Sequence, residues 1–94
     1  MLNLTPQTQV KRIDENIAET EFENAIVLLH IENGEYYNFN CTGSTLWKAL
    51  QQPRRVDELA LLLAAKYECT AEYCQSDLIA WLQETSKKGL VQVV

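Results

Sequence analysis

The 94-residue chain has little of what active sites are usually built from: it contains one histidine, three glycines and three cysteines. The single histidine, His30, lies in an apolar segment, so neither a Cys–His nor a Ser–His catalytic pair is indicated. Three scattered glycines do not make a glycine-rich phosphate loop. Four residues separate Cys69 from Cys74, a spacing that matches no common zinc pattern. We therefore expect no catalytic residues, no metal and no cofactor.

Basic side chains are also scarce. Eight lysines and arginines stand against 13 aspartates and glutamates, which gives a net charge of −5. Binding to phosphates needs clustered basic residues, so this balance argues against nucleic acid as the partner and against an anionic membrane surface. The longest apolar runs, at 25–29 and 59–65, are far too short to span a membrane. Because the first residues also lack the basic and apolar regions of a secretory signal, we expect a cytoplasmic protein.

The length and the cysteines indicate one small intracellular domain. A chain of 94 residues that is 47% hydrophobic has enough apolar surface for one core, and we place a single domain over residues 1–94. Three cysteines cannot all form pairs. We interpret Cys41, Cys69 and Cys74 as buried free thiols in a reducing compartment.

The first part of the chain has the alternating pattern of β-strands. Residues 8–13 can form a short polar strand, and residues 17–22 a second strand or a loop. The clearest strand is 24–31, whose alternate residues are apolar on both faces. This pattern is typical of a central strand that is covered on both sides.

A hairpin is predicted next, because Asn33-Gly34 is the preferred dipeptide of a two-residue type I′ turn. Such a turn would place Glu32 opposite Glu35. The returning strand, 35–39, would lie at an edge of the sheet with unpaired backbone groups.

Apolar residues at helical spacing then predict three helices, at 42–51, 56–67 and 71–88. Thr42 or Ser44 is expected to cap the first helix, and Gly89 to end the third in the left-handed conformation. An N-terminal antiparallel three-stranded sheet followed by three short helices is an α+β fold with winged helix-turn-helix architecture.

Two functions suit this architecture. In a DNA-binding regulator the third helix would be the recognition helix, but its outward positions include Glu72, Gln75 and Glu84, which would not attract phosphates. An exposed strand edge beside a helix is instead suited to binding a peptide by strand addition. The acidic charge of the chain therefore favours a peptide over DNA as the partner.

Most of residues 24–92 falls in three segments: IVLLHIENGEYYNFNCTGSTLWKAL, RRVDELALLLAAKYE and DLIAWLQETSKKGLV. Their motifs include a Val-Leu-Leu strand, Gly-x-Tyr-Tyr, Asn-x-Thr-Gly before a Trp-bearing helix, and Val-Asp-Glu-Leu. In these motifs the chain resembles the PqqD family of recognition elements for ribosomally synthesised and modified peptides (RiPPs). The chain departs from the family pattern at Cys41, Arg55 and Thr85, where Pro, Thr and Leu are usual.

The resemblance implies a non-enzymatic protein that binds the leader peptide of a precursor and delivers it to modifying enzymes. A stand-alone member of this length resembles the recognition protein of lasso-peptide systems, which works beside a leader protease and a cyclase. A PQQ-type peptide chaperone for a radical SAM enzyme is an alternative. The leader is expected to add as an antiparallel strand at 35–39 and to pack against the third helix.

The peptide-binding residues that we expect lie on this strand and on one side of the third helix: Glu35, Tyr36, Tyr37, Asn38, Phe39, Tyr73, Asp77, Ala80, Trp81 and Glu84. Tyr36 and Tyr37 point to opposite faces, so at most one of them lines the groove, and the sequence leaves open which. Trp81 suits the core, with its edge flooring a pocket. Asp77 could instead pair with an arginine at position 54 or 55.

Overall fold

The computed structural model of the chain describes residues 3–23, 25–67 and 70–94, without the side chains of residues 71–73. The elements follow in the order β1 (Gln9–Arg12), β2 (Ile17–Phe22), β3 (Ala25–His30), β4 (Glu35–Phe39), α1 (Cys41–Ala49), β5 (Arg54–Arg55), α2 (Val56–Tyr67), α3 (Ala71–Lys87) and β6 (Val91–Val93). Antiparallel strands followed by three helices confirm the predicted α+β, winged helix-turn-helix class.

The predicted three-stranded antiparallel sheet is formed by β2, β3 and β4, in that order. The segment at 17–22 is therefore a strand, β3 is central, and β4 is an edge. The strand predicted at 8–13 also forms, but β1 belongs to a second sheet, between β5 and β6. Because β1 pairs elsewhere, it does not cover the open edge of β4.

The hairpin register differs from the predicted one by two residues. His30, not Glu32, lies opposite Glu35, so residues 31–34 form a four-residue loop. Gly34 has φ +71°, whereas Asn33 is not left-handed, which excludes a type I′ turn. The Gly34 N–H donates to the His30 carbonyl (2.8 Å), and Asn33 Oδ1 accepts from the Glu35 N–H (2.9 Å). The side-chain amide therefore closes a longer loop, and the like-charge Glu32–Glu35 pair is avoided.

The helices cover one face of the β2–β3–β4 sheet. Ile26 and Leu28 of β3 point to them and are fully buried. Val27 and Leu29 on the opposite face are half-buried and are not part of the hydrophobic core. The prediction that β3 is covered on both sides is therefore wrong, because no second layer packs on that face within the described part of the chain.

Helix α1 begins earlier than predicted. Its N-cap is Asn40, whose extended backbone precedes the helix and whose Oδ1 accepts from the Gly43 N–H (2.9 Å). Thr42 and Ser44 lie inside the first turn, so the prediction that one of them is the cap is wrong. The buried Ser44 hydroxyl donates instead to the Phe39 carbonyl (3.2 Å) and joins the helix to the end of β4.

The other two helices agree well with the sequence. Helix α2 has the predicted bounds, and α3 ends at Lys87, one residue before the predicted end. Gly89 has φ +75°, and the Leu90 N–H donates to the Thr85 carbonyl (2.9 Å). This is the Schellman-type end that the glycine predicted.

The prediction of buried free thiols is wrong for the two cysteines whose state is known. Cys41 is free but exposed, because it lies on the solvent side of the first turn of α1. Cys74 is buried and disulfide-bonded, and Cys69 is outside the described residues. Among the helices that the structure describes, none is long and apolar enough to cross a membrane.

Candidate functional site

A groove of about 260 Å³ lies between the edge strand β4 and helix α3. It is lined by Asn38, Phe39, Asn40, Trp81, Glu84, Thr85 and Lys88. The sequence predicted Asn38, Phe39, Trp81 and Glu84 as site residues, and the structure brings these four together. It adds Asn40, Thr85 and Lys88. Thr85 follows Trp81 at i+4 on the same side of α3, and Lys88 lies directly after the last residue of the helix.

The floor of the groove is aromatic. The rings of Phe39 and Trp81 are 5.5 Å apart and tilted by 57°, and the ring of Trp47 lies 5.8 Å from that of Phe39. Gly43 permits this approach, since a Cβ there would lie 3.1 Å from the Phe39 Cβ and 3.3 Å from the Trp81 Nε1. The glycine of the Asn-x-Thr-Gly motif is thus needed for close packing under the groove.

Tyr37 is the tyrosine on the groove side of β4. It shares its face with Phe39 and packs against the core, and the Lys88 Nζ lies 5.3 Å from the centre of its ring. Tyr36 points to the opposite face and is 68% exposed. Tyr37 therefore points to the side of the sheet that the helices cover, but neither tyrosine is among the residues that line the groove.

The Tyr37 hydroxyl is held at the strand by Glu35, whose Oε2 accepts its hydrogen bond at 2.9 Å. This bond raises the pKa of the Tyr37 phenol, because the carboxylate accepts the proton that ionisation would remove. Burial of the ring raises the pKa of the phenol further. Tyr37 is therefore a neutral hydrogen-bonded ring beside the groove.

The direction of the backbone groups in the sheet follows from two hydrogen bonds at the end of β3. The Ile31 N–H donates to the Asn16 carbonyl, toward β2, and the His30 carbonyl accepts from the Gly34 N–H, toward β4. Because successive residues of a strand point their backbone groups to opposite sides, the even-numbered residues of β3 bond to β4. The odd-numbered residues bond to β2.

The same alternation fixes the open edge of β4. The residues opposite the even-numbered positions of β3 point toward β3, namely Glu35, Tyr37 and Phe39. The N–H and C=O groups of Tyr36 and Asn38 consequently point away from the sheet. Among the described residues, no turn, loop or cap backbone hydrogen bond reaches these two positions. Four backbone groups are thus available along the edge beside the groove.

Not every predicted residue of the third helix lines the groove. Glu84 does, and its Oε1 pairs with the Lys88 Nζ at 3.1 Å. Asp77 and Ala80 are exposed on α3 but are not among the lining residues, and the Tyr73 side chain lies outside the described residues. The arginines that were alternative partners for Asp77 bind elsewhere: Arg54 Nε donates to the Ala49 carbonyl (3.1 Å), and Arg55 pairs with Asp57 (2.6 Å).

What this arrangement can do is bind an extended chain. The open edge supplies backbone donors and acceptors, the Phe39–Trp81 floor supplies apolar surface, and Asn38 and Asn40 line the end nearest α1. One carboxylate, from Glu84 on α3, and one ammonium, from Lys88 directly after α3, balance each other at the opposite side. The molecule is thus a winged helix-turn-helix domain with an open strand edge beside its third helix. A fold of this class is suited to recognising a peptide by strand addition.

Comparison with known families agrees with this class. The profile of the family described as coenzyme PQQ synthesis protein D (PqqD) matches residues 25–91. The chain therefore belongs to the PqqD family, as its sequence motifs predicted. No curated protein sequence matches the chain.

Two solved structures share the fold. One is described as TbiB1 in complex with the TbiA(beta) leader peptide; it is 26% identical, with a TM-score of 0.79 over 87% of this chain and 94% of that chain. The other is a lasso peptide synthetase B1 complexed with the leader peptide; it is 20% identical, with a TM-score of 0.77 over 88% of this chain and 96% of that chain. Because the second structure is only 20% identical to this chain, it supports the assignment of the fold alone.

Proposed function

We propose that this protein binds the leader peptide of a ribosomally made precursor as an added antiparallel strand on β4. The observation that carries the proposal is the open edge at Tyr36 and Asn38, directly beside the aromatic groove. Membership of the PqqD family and the likeness to a TbiB1–leader complex support it. The protein would then present the bound precursor to a leader protease and a cyclase, or to another modifying enzyme.

The backbone supplies the part of the binding that does not depend on the peptide sequence. Tyr36 and Asn38 offer two N–H groups and two carbonyls, enough for four hydrogen bonds to an antiparallel strand. At about 1 kcal/mol each, these bonds contribute about 4 kcal/mol before the cost of docking is subtracted. Backbone pairing alone therefore gives register but not tight binding.

The groove supplies selectivity. Alternate side chains of an added strand would point toward α3, where the rings of Phe39 and Trp81 can cover an apolar or aromatic residue. Each buried anchor of this kind adds about 1.5–3 kcal/mol. Two strong anchors and the backbone bonds total about 10 kcal/mol, and docking costs of several kcal/mol leave about 6 kcal/mol, an affinity on the order of tens of micromolar. Such a complex can still release the leader to the next enzyme.

The alternative functions fit less well. A DNA-binding regulator would need basic residues on the exposed side of α3, where the chain has Ser76, Asp77 and Glu84 instead. A PQQ-type peptide chaperone would use the same edge and groove. The likeness to the TbiB1–leader complex supports a leader peptide as the ligand.

The experiment that tests the proposal is a fluorescence anisotropy titration with a labelled leader peptide, taken from a precursor gene identified beside the gene of this protein. Asn38→Pro removes one outward N–H, and an edge strand tolerates proline with its nitrogen facing solvent. We expect this variant to bind about tenfold more weakly or worse, because the lost bond is accompanied by a steric clash. Asn38→Ala keeps the N–H and should bind within about threefold of the unchanged protein.

A matched control is available on the other edge of the same sheet. By the same alternation, the N–H of Glu21 in β2 points away from β3, so Glu21→Pro makes the equivalent change on the wrong edge. Its ion pair with Lys48 is half-exposed and contributes little. Unchanged affinity in Glu21→Pro is expected. Equal losses in both proline variants, or no binding by the unchanged protein at high micromolar concentration, would refute the proposal.

A further inference from the structure

The face of the β2–β3–β4 sheet that points away from the helices, here called the outer face, is exposed and uncharged. Its larger members are Thr20 and Phe22 on β2, Val27 and Leu29 on β3, and Tyr36 and Asn38 on β4. Ala18 and Ala25 complete it. A chain with a net charge of −5 thus places no charged strand residue on this face.

The acidic residues of β2 lie on the opposite face, toward the helices. Glu19 Oε1 accepts a hydrogen bond from the Trp47 Nε1 (3.2 Å), and Glu21 pairs with Lys48. An antiparallel sheet with one solvated face normally has its polar residues on that face. Strand β2 instead has its charged residues on the helix side and its uncharged residues on the outer face. This is the pattern of a surface that another molecule covers.

We propose that a second copy of this chain covers the outer face, with the two sheets packed face to face. The first argument is charge. Two copies that each carry a net charge of −5 repel wherever their acidic surfaces meet, whereas the outer face can be brought together without placing like charges opposite each other. Face-to-face packing of two sheets at about 10 Å is also a common way to bury such a surface.

The second argument is shape. Phe22 and Tyr36 lie at diagonally opposite corners of the outer face, because Phe22 is at the end of β2 and Tyr36 at the start of β4. The other two corners hold the smaller Ala18 and Asn38. A two-fold axis parallel to the strands, placed between the two sheets, would put β2 of each copy over β4 of the other copy. It places Tyr36 of one copy over Ala18 of the other, and Phe22 over the Asn38 corner, so that large side chains meet small ones.

The third argument is area. Phe22 and Tyr36 are 71% and 68% exposed, and a buried aromatic side chain covers about 150–250 Å². With the smaller residues between them, the face falls below the roughly 800 Å² per partner of a standard stable interface. The dimer is therefore a weak, reversible one. The side chains of Tyr36 and Asn38 take part in the contact, but their open backbone groups point sideways along the sheet and the α3 groove lies on the other face, so each copy keeps its own groove.

Sedimentation velocity across protein concentrations from about 10 μM to 1 mM tests the proposal. The unchanged chain should show a reversible monomer–dimer equilibrium within this range. Val27→Lys at the centre of the outer face should raise the dimer dissociation constant by about tenfold or more, because each dimer would bury two unpaired ammonium groups. Thr20→Lys is more exposed and should act in the same direction without disturbing the fold. Leu61→Lys on the exposed side of α2 is the matched control and should leave the constant unchanged.

Circular dichroism of each variant separates loss of the dimer from loss of the fold, and Thr20→Lys decides the result if Val27→Lys does not fold. A chain that stays monomeric at 1 mM overturns the proposal. So does a dimer that the two face variants leave intact, or one that Leu61→Lys weakens equally. A monomeric chain whose face variants lose affinity for a separate modifying enzyme would assign the outer face to that enzyme instead.

Discussion

Tyr36 and Tyr37 are identical in chemistry and adjacent in sequence, yet they lie in different environments. Strand alternation predicts that they face opposite sides, but it does not say which side the helices cover. That choice depends on Phe39, two residues further on, which is buried under α1 and α3 and brings Tyr37 to the same side. The sequence therefore predicted the alternation, and the burial of Phe39 shows the direction.

The hydrogen bond between Tyr37 and Glu35 gives a prediction at the level of one residue. The pKa of the Tyr37 phenol lies above the usual value of about 10, because its hydroxyl donates to the Glu35 carboxylate. A group whose pKa is raised on folding stabilises the protein fully at lower pH and loses that contribution as pH rises through the folded-state pKa. The bond should therefore stabilise the fold at neutral pH and be lost in strongly alkaline solution.

An NMR titration of ¹³Cζ-labelled tyrosine measures this directly. The Tyr37 resonance should titrate at higher pH than a free tyrosine, and Glu35→Gln should bring the pKa back toward the usual value because the acceptor loses its charge. Tyr37→Phe identifies the resonance. A Tyr37 pKa at or below the usual value in the unchanged protein would show that the bond does not form.

At the scale of secondary-structure elements, helix α2 shows how reliable a strong local pattern is. Its acidic first turn, apolar stripe and clear bounds are all local signals, and the predicted range agrees with the observed one. The β3–β4 hairpin shows the limit. Asn33-Gly34 suits both a two-residue and a four-residue loop, and the two registers differ by two residues, so they keep the same side chains on each face. The hydrophobic pattern cannot distinguish them.

The start of α1 gives a prediction at this scale. Asn40→Ala should lower the free energy of unfolding by about 1 kcal/mol, since it removes the acceptor of the Gly43 N–H. Asn40→Asp keeps an acceptor and should stay close to the unchanged protein. Thr42→Ala, at a position that the sequence favoured as the cap, should change stability by less than about 0.5 kcal/mol. Urea unfolding of the three variants compares them, and a larger loss in Thr42→Ala than in Asn40→Ala would contradict the assigned cap.

At the scale of the whole molecule, the separate sheet of β1 was beyond sequence reasoning. Its partners, Arg54–Arg55 and Val91–Val93, lie far from it in the chain, and no turn residue links them. The order of three strands and three helices was nevertheless predictable, because each element has its own local pattern. The groove was predicted in part for the same reason: residues on β4 and α3 could be named, but Asn40 and Lys88 join them only through the way the helices pack.

The most direct test of the central claim is amide hydrogen exchange, read residue by residue by NMR, in β4 with and without the leader peptide. If the leader adds as a strand, the Tyr36 and Asn38 amides should become strongly protected when the peptide binds. Tyr37, which already points toward β3, should change little. Binding without new protection at Tyr36 and Asn38, or equal protection along β2, would contradict strand addition at this edge.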